Sequence, residues 1–178
     1  MIAAVSIVQR VTIFANYALI GFGQGFQPIC GFNYGAGIYS RVKSAFWFCV
    51  KVSTIFLLSL AIAGYFFAPQ IIAVFRRDDP EVIRIGALAL QLQCITFPLL
   101  GWVILNNMML QTIGKAFKAS FLALARQGLF MLPVLFILTP RLGVLGIQLS
   151  QPISDIATFF LAVPLGLGVL REMTEDET

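Results

Sequence analysis

Four polar side chains, Gln148, Gln151, Asp155 and Thr158, recur at intervals of three, four and three inside the apolar run 142–170. That spacing puts them on one face of a helix. An ionisable group near the centre of a bilayer costs about 2.5–3.5 kcal/mol on insertion scales, so it faces protein or water and marks a candidate site. The carboxylate of Asp155 could hold a transported cation, or exchange a proton as its surroundings change. It could equally hydrogen-bond to neighbours and fix helix packing. Arg126 stands inside another apolar run, roughly 10 Å along a helix from the Lys118 end. Snorkelling back to that interface is the simpler reading of so long a side chain. Pairing with Asp155 or contacting substrate is the alternative.

Other polar residues form a looser set. Gln24 and Gln27 in the first apolar run, with Asn106, Asn107 and Gln111 in the third, could line a polar passage. Interhelical hydrogen bonding accounts for the same residues. Gln91 and Gln93 lie nearer the outer end and are weaker candidates. Gly21, Gly23, Gly25 and Pro28 interrupt the middle of the first run, either as a bend that could move or as a packing kink. Gly21 and Gly25 also make a small-xxx-small pair suited to close helix approach. Arg10 and Lys51 read as interface anchors. Cys30, Cys49 and Cys94 read as small packing residues, since their number is odd and their surroundings apolar.

Five elements must carry these residues: the apolar stretches 11–32, 45–67, 85–113, 119–139 and 142–170. A crossing helix needs about 20 mostly apolar residues, and each stretch is long enough. The expected fold class is therefore all-α, a polytopic transmembrane helix bundle. The runs are too long for barrel strands and lack alternation of period two. Residues 69–76 read as a short interfacial helix, 33–37 and 140–143 as connecting loops, and 173–178 as a polar cytoplasmic tail. One end of the bundle collects Arg41, Lys43, Lys115, Lys118 and Arg171, the other Arg76, Arg77, Arg84 and Arg141. The first end is favoured as cytoplasmic, which places the C-terminus on the cytoplasmic side of a cell membrane. No cleavable signal peptide is expected. The abrupt apolar start suggests part of something larger.

Composition excludes most other classes. Of 178 residues, 59% are hydrophobic and only 11% charged, and the mean hydropathy is +0.91. An ordinary soluble chain has roughly 45–50% and about 25%, so this one has too little charge to cover its surface in water. There is no histidine, which removes the commonest general base and metal ligand. No paired metal spacing and no serine-nucleophile motif is present, so neither an enzyme nor a metal centre is expected. The scattered Lys and Arg form no stripe for a nucleic acid. The expected surroundings are lipid.

Several stretches carry a more specific likeness. Gly21-Phe-Gly-Gln-Gly-Phe-Gln-Pro-Ile-Cys-Gly-Phe-Asn-Tyr-Gly-Ala-Gly37, followed by Arg41-Val-Lys-Ser-Ala45, resembles the signature of multidrug and toxic compound extrusion (MATE) transporters, at the end of their eighth helix and the loop after it. Asp79-Pro-Glu-Val-Ile83 and Leu110-Gln-Thr-Ile-Gly-Lys115 resemble the start and end of their tenth helix. Gly143-Val-Leu-Gly146 through Gln151-Pro-Ile-Ser-Asp155 resembles their twelfth. The likeness implies that residues 1–172 are the C-terminal lobe, helices eight to twelve, of a twelve-helix antiporter with two lobes around a central cavity. It implies an organic-cation substrate, exchange for transported protons or sodium rather than a bound cofactor, and an N-terminal lobe or equivalent partner. Many relatives place coupling acids in the first, seventh and tenth helices. The tenth-helix equivalent here has no acid within 85–113, which leaves Asp155 as the intramembrane carboxylate. Two other readings are a truncated, non-transporting fragment or packing subunit, and a relative of lipid-linked sugar flippases, whose cavity should be more basic.

Overall fold

Long uncharged runs can satisfy their backbone in lipid only by closing on themselves as helices, and that is what the chain does. The computed structural model describes residues 2–75 and 79–175. In it α1 spans Ile2–Gly35, α2 Tyr39–Phe66, α3 Ala68–Phe75, α4 Pro80–Thr112, α5 Ala116–Leu124, α6 Met131–Leu142 and α7 Val144–Glu175. A π-helical turn, Ala125–Phe130, joins α5 to α6, so the three pieces form one crossing element. Among the described residues, five helices are long and apolar enough to cross a membrane.

The helices outrun the apolar stretches, and the connections shrink accordingly. Residues 33–35, expected in a turn, are the last of α1, and only 36–38 connect it to α2. Gly37, at φ 72°, makes the reversal while the Ile38 amide donates to the Asn33 carbonyl at 2.9 Å. This is a positive-φ helix ending that favours glycine. Residues 140–142 are likewise helical, and Gly143 alone separates α6 from α7. Pro140 stands near the end of α6, and only two residues of helix follow it. α7 continues through Glu175, with the Thr174 hydroxyl donating to the Leu170 carbonyl at 3.0 Å. The carboxylate of Glu172 pairs with Lys115 and Lys118, which ties this end of α7 to the start of α5. Within the expected interfacial segment, Ile72 is buried and Val74 and Phe75 are exposed. Its end at Arg76, with Arg77, lies outside the described residues.

α4 is the axis of the bundle: α1, α2, α3 and α7 all pack on it. Close approach rests on small residues, as it must where lipid gives helices no hydrophobic incentive to associate. A Cβ on Gly101 would come within 2.8 Å of Ser53 Oγ on α2, and one on Gly166 within 2.9 Å of Asn106 Oδ1 on α4. On α1 the glycines divide between two faces. Gly21 and Gly25 meet nothing within 4 Å, whereas Gly23 lies against Met108 and Leu105. The small-residue spacing was real, but it falls on the face turned away from α4. α1 also runs unbroken as a helix through Pro28.

The start of α4 follows from a capping signal. Asp79 is extended at φ −130°, its carboxylate accepts from the Val82 amide at 3.2 Å, and Pro80 supplies the first helical residue. Asp79→Ala should cost about 1 kcal/mol, the usual worth of such a cap. Hydrogen exchange should then speed up at the amides of residues 81–83 and stay unchanged at residues 100–110.

Candidate functional site

The polar stripe of α7 faces the bundle, with Gln148, Asp155 and Thr158 buried and Gln151 partly so. Asp155 is fully buried and both its carboxylate oxygens are engaged. Oδ1 accepts from Arg126 Nε at 3.0 Å and from Gln151 Nε2 at 3.2 Å, and Oδ2 accepts from Gln93 Nε2 at 3.0 Å. A carboxylate in a low-dielectric interior needs this provision: a charge partner, and donors for the remaining lone pairs. Three elements are joined at one carboxylate: α4 through Gln93, the π turn through Arg126, and α7 itself.

Arg126 therefore does not snorkel to the Lys118 end. Its position follows from the local backbone. Gly128 lies within the π turn and Pro133, which has no amide to donate, lies just beyond it. A π turn holds an extra residue and breaks the regular ladder of carbonyls and amides. The Arg126 carbonyl is met from outside, by Ser154 Oγ at 2.5 Å. Ser154 and Asp155 are adjacent on α7, so one holds the backbone of Arg126 and the other its guanidinium. Thr158 Oγ1 donates to the Ser154 carbonyl at 2.7 Å and completes that side.

Two concavities open beside the pair, between α1 and the α5–α6 element. One of about 210 Å³ is lined by Gln9, Thr12, Gln93, Gln148 and Gln151 among others. A second of about 480 Å³ is lined by Tyr17, Ile20, Ile104, Asn107 and Gln111 among others. Ile13, Asn16, Arg126 and Gln127 line both.

The expected site residues fall into three groups. Gln148, Gln151, Asp155 and Arg126 come together, with Gln148 anchored by Nε2 donating to the Ile85 carbonyl at 3.1 Å. Asn107 and Gln111 bond to each other at 2.5 Å, Asn107 Nδ2 holds the Ala119 carbonyl at 2.7 Å, and both side chains border the larger concavity. Gln24 is exposed and Gln27 partly so, on α1 well away from the carboxylate, and neither borders these concavities. Asn106 instead bonds across helices, donating to the Ala162 carbonyl at 2.8 Å. Gln93, ranked low from its position in the run, is a direct partner of Asp155. Gln9, Thr12 and Asn16 were missed. Their spacing of three and four carries the same signal as the stripe on α7, but Gln9 lies outside the run taken as the first span. Among the described residues no group of His, Cys, Asp or Glu could hold a metal ion.

The sequence and fold have clear counterparts. The family model described as MatE matches residues 1–137. A multidrug export protein, MepA of Staphylococcus haemolyticus, is 25% identical over 99% of this chain and 38% of its own length. A protein named an FAD transporter, from Shewanella oneidensis, is 30% identical over 81% of this chain and 32% of its own. The crystal structure of a MATE protein in the bent conformation superposes with a TM-score of 0.91 at 18% identity, over 99% of this chain and 39% of that one. The Vibrio cholerae MATE transporter VcmN, in its bent form, gives 0.88 at 22% identity over 98% and 40%. The chain thus spans about two fifths of the length of proteins it matches nearly end to end.

Proposed function

Because the chain belongs to the MatE family, we propose that it forms one part of an efflux antiporter, driven by a proton or sodium gradient and working by alternating access. The observation that carries this reading is the buried Asp155–Arg126 pair, which bridges α7 to the π turn beside two polar concavities. Secondary transporters bind substrate and coupling ion near mid-membrane, where helices are interrupted, and a π turn is such an interruption. A proton on Asp155, or sodium competing for its oxygens, would weaken its hold on Arg126. The α5–α6 element would then be free to shift against α7, which gives two arrangements for one ion to bias.

The substrate we infer is an amphipathic organic cation, in line with the multidrug relatives, housed on the apolar and amide surface of the concavities. The remaining wall would come from an N-terminal lobe or an equivalent partner. A lipid-linked sugar flippase is less well supported, since Arg126 is the one basic residue among those lining the two concavities. We place the protein in the cell membrane with its C-terminus cytoplasmic, because Arg41, Lys43, Lys115, Lys118 and Arg171 share one end. A packing subunit without transport is the second reading, favoured by the full burial of Asp155, whose two oxygens are both held by side chains of this chain.

Ethidium efflux from cells separates the two. The chain is expressed alone and beside the N-terminal lobe of a multidrug relative, with membrane levels quantified. Energy-dependent efflux above the empty vector is expected with the lobe present. Its absence in both arrangements, from well-inserted protein, would leave the packing reading. Asp155→Asn should abolish the pH or sodium dependence of efflux, read per molecule of protein in the membrane.

A further inference from the structure

The charge that reaches the two concavities is positive. Asp155 is fully buried and borders neither, and no carboxylate is among the residues that line them. Arg126 borders both, and 17% of its side chain is exposed. Its Nε is engaged by Asp155, while its terminal nitrogens meet no acceptor among the described residues. The outer end of the guanidinium is thus a donor fork with nothing to hold, beside water-sized space. Gln127 follows it in the chain, is exposed, and borders the same two concavities with an amide that can turn its N–H inward. A planar guanidinium with paired donors matches the oxygens of a carboxylate or phosphate, and is used for this in preference to lysine. Next to it the larger concavity offers Tyr17, Ile20, Ile104 and Met108, a surface for a flat apolar body.

From this geometry we propose that Arg126 and Gln127 form a binding site for the oxyanion of an amphipathic ligand, whose apolar body lies along α1 and α4. Asp155 is the internal counter-ion that keeps the guanidinium in place. An amphipathic cation that also carries an oxyanion is held at that end by the guanidinium, more tightly than one bearing an ammonium alone. This deepens the transport reading by naming which end of the substrate this half of the pathway grips, and the binding itself needs no gradient.

The test uses the 178-residue chain in phosphatidylcholine nanodiscs and three naphthalene probes read by fluorescence: 2-naphthoate, 2-naphthyl phosphate and 2-naphthylmethylammonium. At least one oxyanion probe should bind tenfold or more tightly than the ammonium. The paired variant Arg126→Gln/Asp155→Asn leaves no unpaired buried charge and should remove that preference. Gln127→Leu, outside the ion pair, should weaken oxyanion binding several-fold with unchanged thermal unfolding. Equal or tighter binding of the ammonium overturns the proposal, and so does a preference that survives in the paired variant. If the paired variant does not fold, the probe comparison on the unchanged chain and on Gln127→Leu still decides. Adding phosphatidylglycerol separates the sources of the oxyanion: competition with the probes assigns the site to a lipid headgroup, and unchanged affinity to a soluble ligand. Lost efflux with intact oxyanion preference would count against the antiporter reading alone, and the reverse against this site alone.

Discussion

Arg126→Ala, made alone, is expected to lower stability by about 3–5 kcal/mol, the usual cost of stranding one member of a buried ion pair. Asp155 has no exposure to water, and the neutral amides of Gln93 and Gln151 would be its remaining partners. Asp155→Ala should cost a comparable amount by stranding the guanidinium, moderated by the small exposure Arg126 retains. The double change Arg126→Gln/Asp155→Asn should cost much less than either, because two amides of similar size can bond to each other and to the same neighbours. Reversible unfolding in mixed micelles gives all three values. If the double variant is as unstable as the singles added together, the two residues do not act as a pair. If the singles are nearly neutral, the pair is solvated far more than its burial implies.

The second large effect is expected at a glycine. Gly146 lies where α7 leaves Gly143 and turns back along α6, and a Cβ there would overlap the Leu138 carbonyl and lie 2.8 Å from the Thr139 amide nitrogen. These are backbone atoms within a helix and cannot swing aside as a side chain would. Overfilling a packed site typically costs about 1–3 kcal/mol, and Gly146→Ala should reach the top of that range. Gly168→Ala is the matched control, since a Cβ there meets nothing within 4 Å. It should be neutral or gain a few tenths of a kcal/mol, as alanine suits a helix better than glycine. The same unfolding assay separates them, and equal effects at the two positions would mean that α6 and α7 are not packed as described.

The crossing elements were legible because in lipid the backbone itself demands long uncharged helices, and that demand is written in run length. What occupies each face was legible only where polar residues stood at helical spacing, as on α7. Arg126 was harder to read. A regular helix sets its distance from Lys118, but the π turn, which 3.6-residue periodicity cannot reveal, brings its carbonyl to Ser154 and its guanidinium to Asp155. Gly128 and Pro133 were the available signal. Gln93 was undervalued for a different reason. Depth in the run says where a residue sits along the bilayer, but only packing of α4 on α7 says what lies opposite. The glycines of α1 show the limit of spacing as a guide, since a small-residue pair marks a face suited to close approach without saying that a helix of the same chain lies against it.

A single residue, Gly143, separates α6 from α7, and this has a consequence for how the protein is made. Two spans joined so tightly cannot be laid into the bilayer independently: they form a helical hairpin that enters as a unit. Arg126 stands on the first arm and Asp155 on the second, so each would be a bare charge if its arm crossed alone, a cost of about 2.5–3.5 kcal/mol apiece on insertion scales. Entering together, the arms can neutralise each other from the outset. The contact that holds the finished fold is then also the one that lets this part of the chain leave the insertion machinery.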